Sequence, residues 1–324
     1  MPFLHGASMR KRIFIQFLFA LWANSYFGFL LKGGIYTGRL KNLCFPGLNC
    51  YSCPLAIMAC PLGVLQHVMG TLRALPQVAL KAALYVLGTF LFYGLFLGRF
   101  ICGWICPFGF LQELLYRVPS PKISLPRATR NIKILLLIFL VLWLPLVLQG
   151  EAGYGEVWFC RLFCPAGTLE AGFLNLLIEP QLRTLIGLVF YWKTFVLGII
   201  FLGSIAYFRF FCKLFCPLGL IYGFFNKVGL FRLRWQEERC IRCGICEKLC
   251  PMELKIPKEL NSKECIRCLN CLNSCPTRSI VLNTSFRFEK ELDFIPLSVG
   301  EMRYETRRKE AGGTSSRKNH SKFS

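Results

Sequence analysis

Two cysteine spacings in this chain can do chemistry, and they lie in different surroundings. The first is in polar sequence: Cys240, Cys243, Cys246 and Cys250 before Pro251, then Cys265, Cys268, Cys271 and Cys275 before Pro276. This is C-x2-C-x2-C-x3-C-P written twice, a spacing that holds two [4Fe-4S] clusters, with the fourth cysteine of each run ligating the other run's cluster. The expected sets are Cys240, Cys243 and Cys246 with Cys275, and Cys265, Cys268 and Cys271 with Cys250. The second spacing, C-x3-C-P, lies in apolar sequence at Cys102 and Cys106, Cys160 and Cys164, and Cys212 and Cys216. An irregular block of Cys44, Cys50, Cys53 and Cys60 precedes it, bringing the total to 18 cysteines.

The flanks of the second spacing repeat as FICGWICPFGFLQELLYRV, WFCRLFCPAGTLEAGFLNLL and FFCKLFCPLGLIYGFFNKV. The stretch CPLAIMACPLGVLQHVMG is a distorted fourth copy, in which Cys60-Pro61-Leu62-Gly63 matches the C-P-x-G of the others. Proline is preorganised for the first helical position and biases the preceding residue away from helical geometry, so each second cysteine is expected where an amphipathic helix begins. Free amides and the helix dipole there favour a thiolate and lower its pKa. Two cysteines are too few for a site of four thiolates, so copies must combine. The expected pairings are Cys102 and Cys106 with Cys212 and Cys216, and Cys160 and Cys164 with Cys53 and Cys60, which leaves Cys44 and Cys50 spare. These sites are expected to add one or two Fe-S clusters to the ferredoxin-type pair. Cysteines that merely fill apolar space, a zinc ion on four cysteines, and a disulfide within the block from Cys44 to Cys60 are the competing readings.

Composition sets the surroundings of these motifs. With 54% hydrophobic and 17% charged residues over 324 positions and a mean hydropathy of +0.47, the chain is a membrane protein and not an ordinary soluble domain. Four segments approach the roughly 20 apolar residues that a span needs: Ile13 to Leu31, Ala79 to Gly98, Lys133 to Gln149 and Thr184 to Phe208. The first ends in Trp22, Tyr26 and Phe27 without a small-residue cleavage site and is read as a retained anchor. Arg10 to Arg12 and the cluster from Arg99 to Lys133 assign those flanks to the cytoplasm, together with everything from Arg209 onward. The inner pairs and the C-terminal cysteines then share the cytoplasmic side, while Cys160 and Cys164 lie outside with the block from Cys44. Much of the net charge of +22 belongs to these flanks, so lipid headgroups are the expected partner and nucleic acid is not. Lys193, inside the last span, either offsets the charge of a thiolate-ligated cluster or snorkels outward. His67 is the one histidine near the membrane core, a candidate quinone contact or a plain interfacial residue, and a lone histidine cannot supply the paired axial ligands of a haem.

The repeats, the motifs GRFICGWICPFG and RFFCKLFCPLG, and the C-terminal cysteine runs resemble the membrane iron-sulfur proteins typified by NapH and the membrane part of NosR, over roughly residues 10 to 285. The resemblance implies a multi-pass protein of the cell (inner) membrane with a cytoplasmic N-terminus and a cytoplasmic two-cluster ferredoxin module. It also implies relay of single electrons between cytoplasmic donors or the quinone pool and a partner reductase, with no substrate transformed by this chain alone. Cys160, Cys164 and the block from Cys44 depart from the usual two motifs of that family. Redox sensing or metal-centre maturation with the same clusters is the alternative function. The expected fold is therefore an α-helical membrane protein of about four spans plus short amphipathic or re-entrant helices, carrying an α+β two-[4Fe-4S] ferredoxin domain. Its expected parts are a membrane domain over 1–230, the ferredoxin domain over 231–285 and a polar, basic, disordered tail over 286–324.

Overall fold

The computed structural model describes residues 7–28, 34–150 and 153–284; the tail expected from residue 286 lies outside them. Helix α1 (Ala7–Ala23) is followed by α2 (Pro61–Thr71), the long α3 (Pro76–Phe96) and the short α4 (Phe100–Trp104) and α5 (Pro107–Leu115). The pattern of one long and two short helices then occurs twice more. It runs through α6 (Ala128–Val147), α7 (Trp158–Leu162) and α8 (Gly167–Ile178), then α9 (Leu188–Ala206), α10 (Phe210–Leu214) and α11 (Pro217–Phe224). The C-terminal module pairs β1 (Phe231–Trp235) antiparallel with β2 (Ile280–Thr284), Leu233 facing Leu282. Between these strands lie the short helices α12 (Ile245–Lys248) and α13 (Asn270–Asn273).

Helices α3, α6 and α9 are long and apolar enough to cross a membrane. Their outward residues, among them Leu84, Leu87, Phe92, Leu188, Phe195 and Leu202, are exposed, as a lipid-facing surface requires. The first expected span differs. Helix α1 has 17 residues and ends at Ala23, short of the length a span needs, and residues 29–31 of the expected segment lie outside the described residues. It also turns polar groups inward: Arg12 and Gln16 are buried, Arg12 against Glu113 at 2.8 Å and Gln16 donating to the Gly103 carbonyl at 2.8 Å. Part of α1 thus packs against protein.

The ferredoxin-type module is clamped to the membrane helices by backbone contact and charge. A Cβ on Gly103 would meet the Ile266 carbonyl at 2.3 Å, and one on Gly223 would meet the Lys263 carbonyl at 2.4 Å, so two glycines allow the 263–266 segment to lie directly on α4 and α11. Arg99, fully buried, donates to the Lys263 carbonyl and to Glu264, and Lys133 closes on the same carboxylate at 2.5 Å. Arg267 donates back to the carbonyls of Leu97 and Asn226, at 3.0 and 2.9 Å.

Candidate functional site

The cysteines reach their positions through one local device used repeatedly. Cys60, Cys106 and Cys216 have extended backbones (ψ 125°, 118° and 105°) and are each followed by a proline that starts a helix; Pro165 starts the helix after Cys164 in the same way. The first helical turn presents its amides to the sulfur. Gly219 N donates to Cys216 Sγ at 3.3 Å and Gly167 N to Cys164 Sγ at 3.4 Å, while the Gly109 and Gly63 amides face Cys106 and Cys60. The C-x3-C turn closes identically in three copies, by bonds of 3.0 Å from Cys106 N to Ile101 O, Cys164 N to Phe159 O and Cys216 N to Phe211 O. In the fourth copy no short helix precedes the second cysteine; a parallel bridge between Cys44 and Ala59 takes its place.

Cys102, Cys106, Cys212 and Cys216 are all buried and are electrostatic neighbours of one another. Gln112, on α5, fixes this group across the two repeats. Its Nε2 donates to Cys212 Sγ at 3.1 Å, and its Oε1 accepts from Phe211 N at 3.0 Å. Two fully buried arginines flank the group. Arg99 lies beside Cys102 and Cys212; Arg209 lies beside Cys212 and Cys106 and donates to the Cys102 carbonyl.

Counting the charges around this group shows what it can accommodate. Beside it Arg12 and Arg209 share Glu113, and Arg99 and Lys133 share Glu264, while Arg130 and Lys213, the latter next to Cys250, share Glu253. At the inner group four buried cations thus meet two carboxylates, leaving two positive charges in excess. An uncompensated buried charge is expensive, so the surplus fits a resident anion between the cysteines. A [4Fe-4S] cluster on four thiolates is anionic in both of its working oxidation states, whereas four neutral thiols would leave the surplus standing.

In the C-terminal module Cys250 is an electrostatic neighbour of Cys265, Cys268 and Cys271, and these four line one small cavity under β1. Cys240 and Cys246 neighbour Cys275, and Cys246 neighbours Cys243. Cys275 accepts from Ser279 N at 3.3 Å. Cys243 is exposed, whereas Cys265 sits beside the buried Ile266 and Arg267 at the membrane-domain junction, so the module has a solvent end and an inner end.

The outer cysteines group differently from the sequence expectation. A cavity of about 400 Å³ is lined by Cys50, Cys60, Cys160 and Cys164, with Lys193 on its wall. Cys53 is absent from that lining; its thiol faces Asn24 Oδ1 at 3.9 Å. Cys44 lies apart, its backbone held by the Tyr85 and Tyr93 hydroxyls. The expected thiol pKa values also need correction. Burial outweighs the amide donors and pushes Cys60 and Cys106 up to about 12, with Cys164 adding to the rise at Cys60 and Cys212 at Cys106. Those sulfurs become thiolates only against a cation. His67 is held by Tyr51, Oη to Nε2 at 3.0 Å. Glu113, Gln66 and Gln112 have no counterpart in the sequence reading; the two glutamines recur at one place in CPLGVLQ and CPFGFLQ, which is the available signal.

A family of 4Fe-4S binding domains matches residues 80–126 and 188–236, the two segments that carry the inner cysteines, and a second family of the same description matches 233–253. The chain is 37% identical over 202 residues to the uncharacterized protein MJ0750 of Methanocaldococcus jannaschii, which covers 60% of this chain and 76% of that protein. It is 27% identical over 215 residues to YccM of Escherichia coli, whose name assigns it to electron transport, covering 63% of this chain and 56% of that one. It is 28% identical over 188 residues to the methylamine utilization ferredoxin-type protein MauN of Methylorubrum extorquens, covering 55% and 58%. The chain thus spans little more than half the length of the last two relatives. No solved structure matches it.

Proposed function

The chain belongs to the family of membrane-associated 4Fe-4S binding proteins, and from that premise we propose that it is a non-catalytic electron-transfer subunit, passing single electrons between a cytoplasmic donor or the quinone pool and a partner redox enzyme. Cys240, Cys243, Cys246 and Cys275 would hold one cluster, Cys250, Cys265, Cys268 and Cys271 a second, and Cys102, Cys106, Cys212 and Cys216 a third. A bound [4Fe-4S] cluster supplies a one-electron change at a potential tuned by burial, hydrogen bonds and local charge.

The protein's own groups supply the rest. Gly103 and Gly223 let the 263–266 segment press against the inner cysteines' helices, so Cys265 and Cys102 are kept within one layer of backbone. Arg99, Arg209 and Lys133 offset negative charge at the inner group, and Gln112 fixes Cys212. The exposed Cys243 end is the docking point for a soluble redox partner. On this reading the inner group and the ferredoxin-type module lie at the cytoplasmic face, and α3, α6 and α9 cross the membrane.

The observation that carries this reading is the surplus of two buried positive charges beside four buried cysteines. Iron and acid-labile sulfide measured on the anaerobically purified full chain test it. At least about twelve irons per chain are expected, and about eight would confine clusters to the C-terminal module and remove the inner group from the relay.

A further inference from the structure

The sixth residue after each C-P cysteine reports which cysteine belongs opposite it. These residues are Gln66, Gln112, Glu170 and Tyr222, following Cys60, Cys106, Cys164 and Cys216. In the inner group the relation is reciprocal. Gln112 bonds Cys212, the first cysteine of the partner motif, and the buried Tyr222 interacts most strongly with Cys102, the first cysteine of the other, among neighbours that also include Cys60 and Cys44. The outer group repeats the first half of this almost bond for bond. Gln66 Nε2 donates to Cys160 Sγ at 3.1 Å, and its Oε1 accepts from Phe159 N at 2.9 Å, matching Gln112 with Cys212 and Phe211 N. The remaining member, Glu170, is an electrostatic neighbour of both Cys50 and Cys53, and its hydrogen bond is accepted from Cys50 N at 2.6 Å. By this register Cys50 stands where a first cysteine stands, although ten positions separate it from Cys60 and Cys53 fits the sequence spacing better.

We propose that Cys50, Cys60, Cys160 and Cys164 are the ligands of a second membrane-domain [4Fe-4S] cluster, coupled to the inner group through the Leu48–Asn49 peptide; this rests on the relay reading above. The four thiols line one cavity, and the amides of Gly63 and Gly167 face the sulfurs of Cys60 and Cys164 as Gly109 and Gly219 face those of the inner group. Lys193 provides positive charge at the cavity wall. The coupling comes from two consecutive amides that serve different groups: Leu48 N donates to Cys106 Sγ at 3.5 Å, and Asn49 N faces the sulfur of Cys60. Two such contacts and one peptide unit place those sulfurs within roughly 11 Å of each other. A span of roughly 30 Å of apolar core is thereby divided. In the transfer one electron leaves the inner cluster as one arrives at the outer, with no bond made or broken and no proton moved.

The test is iron and sulfide content with low-temperature EPR on the anaerobically purified full chain, for the wild type and for Cys50→Ala, Cys53→Ala and Cys164→Ala. The wild type should hold about sixteen irons, Cys50→Ala and Cys164→Ala about twelve with loss of one and the same signal, and Cys53→Ala about sixteen. The C-terminal signals, kept in every variant, report that the chain has folded. A wild type with about twelve irons overturns the outer cluster and leaves the relay reading standing; about eight removes both. Loss of the signal in Cys53→Ala but not in Cys50→Ala overturns the ligand set. Stoichiometric zinc, or a disulfide between Cys50 and Cys164 in the anaerobic protein, overturns the cluster itself.

Discussion

Arg99 Nη1 lies 2.9 Å from Glu264 Oε2, and this buried ion pair joins the inner cysteine group to the ferredoxin-type module. Burial alone would push the Glu264 carboxyl up, but Arg99 and Lys133 hold it down at about 2. The pair is therefore ionised at neutral pH. Its value is positional: Arg99 contacts Glu264 and the Lys263 carbonyl on one side and the Cys212 carbonyl on the other.

Replacing Glu264 by Gln strands two cations, Arg99 and Lys133, in a region with no other carboxylate assigned to them. Removing one partner of a buried pair costs about 3–5 kcal/mol. The expected outcome is a marked fall in thermal midpoint of the anaerobic protein, larger than for Glu237→Gln, whose pair with Arg242 is exposed and contributes at most about 1 kcal/mol. Equal midpoints for the two variants would show that the junction does not depend on this pair.

Gly103 lies against the Ile266 carbonyl so closely that a methyl group would sit 2.3 Å from it, against backbone that cannot swing aside. Gly103→Ala should separate the module from the membrane helices without touching a cysteine. Limited proteolysis should then cut near residues 226–230 faster than in the wild type, while the C-terminal EPR signals persist. Unchanged proteolysis and unchanged inter-cluster reduction kinetics would refute the close approach.

Cys106 has the amides of Leu48 and Gly109 directed at its sulfur and has Cys102 and Cys212 as neighbours. Cys106→Ala should remove about four irons and one EPR signal and leave the C-terminal pair intact. Survival of every signal would mean that the inner group holds no cluster.

How much of this was legible in sequence depends on whether the determinant was local. The C-P step places a cysteine at a helix start by the steric rules of proline alone, and Cys60, Cys106 and Cys216 stand there with extended backbones. Three copies share one spacing, and the charge flanks that put Cys102 and Cys106 on one side with Cys212 and Cys216 select the grouping that the structure brings together. Cys50 did not yield to spacing, because the Cys44–Ala59 bridge replaces the helical turn that sets the interval in the other copies. Its assignment needs Glu170, 120 positions away. The same holds for α1, whose run is apolar but whose buried Arg12 and Gln16 bond Glu113 and the Gly103 carbonyl, partners distant in sequence. The direction of the thiol pKa values was missed because the helix-start effect is local, whereas the burial that overrides it is a property of the assembled repeats.

Gln112 offers the most specific handle on the inner group, because it touches a sulfur without being a ligand. Its Nε2 donates to Cys212 Sγ at 3.1 Å, and hydrogen bonds to cluster sulfur stabilise the reduced, more negative state. Gln112→Leu keeps the volume and loses the donor, so the inner potential should fall. A hydrogen bond to a charged acceptor contributes about 1.5–3 kcal/mol. Both oxidation states accept the bond and the potential reports only the difference between them, so with about 1.4 kcal/mol corresponding to about 59 mV for a one-electron couple, a drop on the order of tens of mV is expected in a redox titration followed by EPR. The C-terminal signals should not shift, since Gln112 has no contact with Cys240 through Cys275 among its hydrogen bonds. Gln112→Glu, which can still accept from Phe211 N but brings a carboxylate toward the sulfur, should lower the potential further and make it pH-dependent. A potential unchanged in both variants would show that no cluster resides on Cys212.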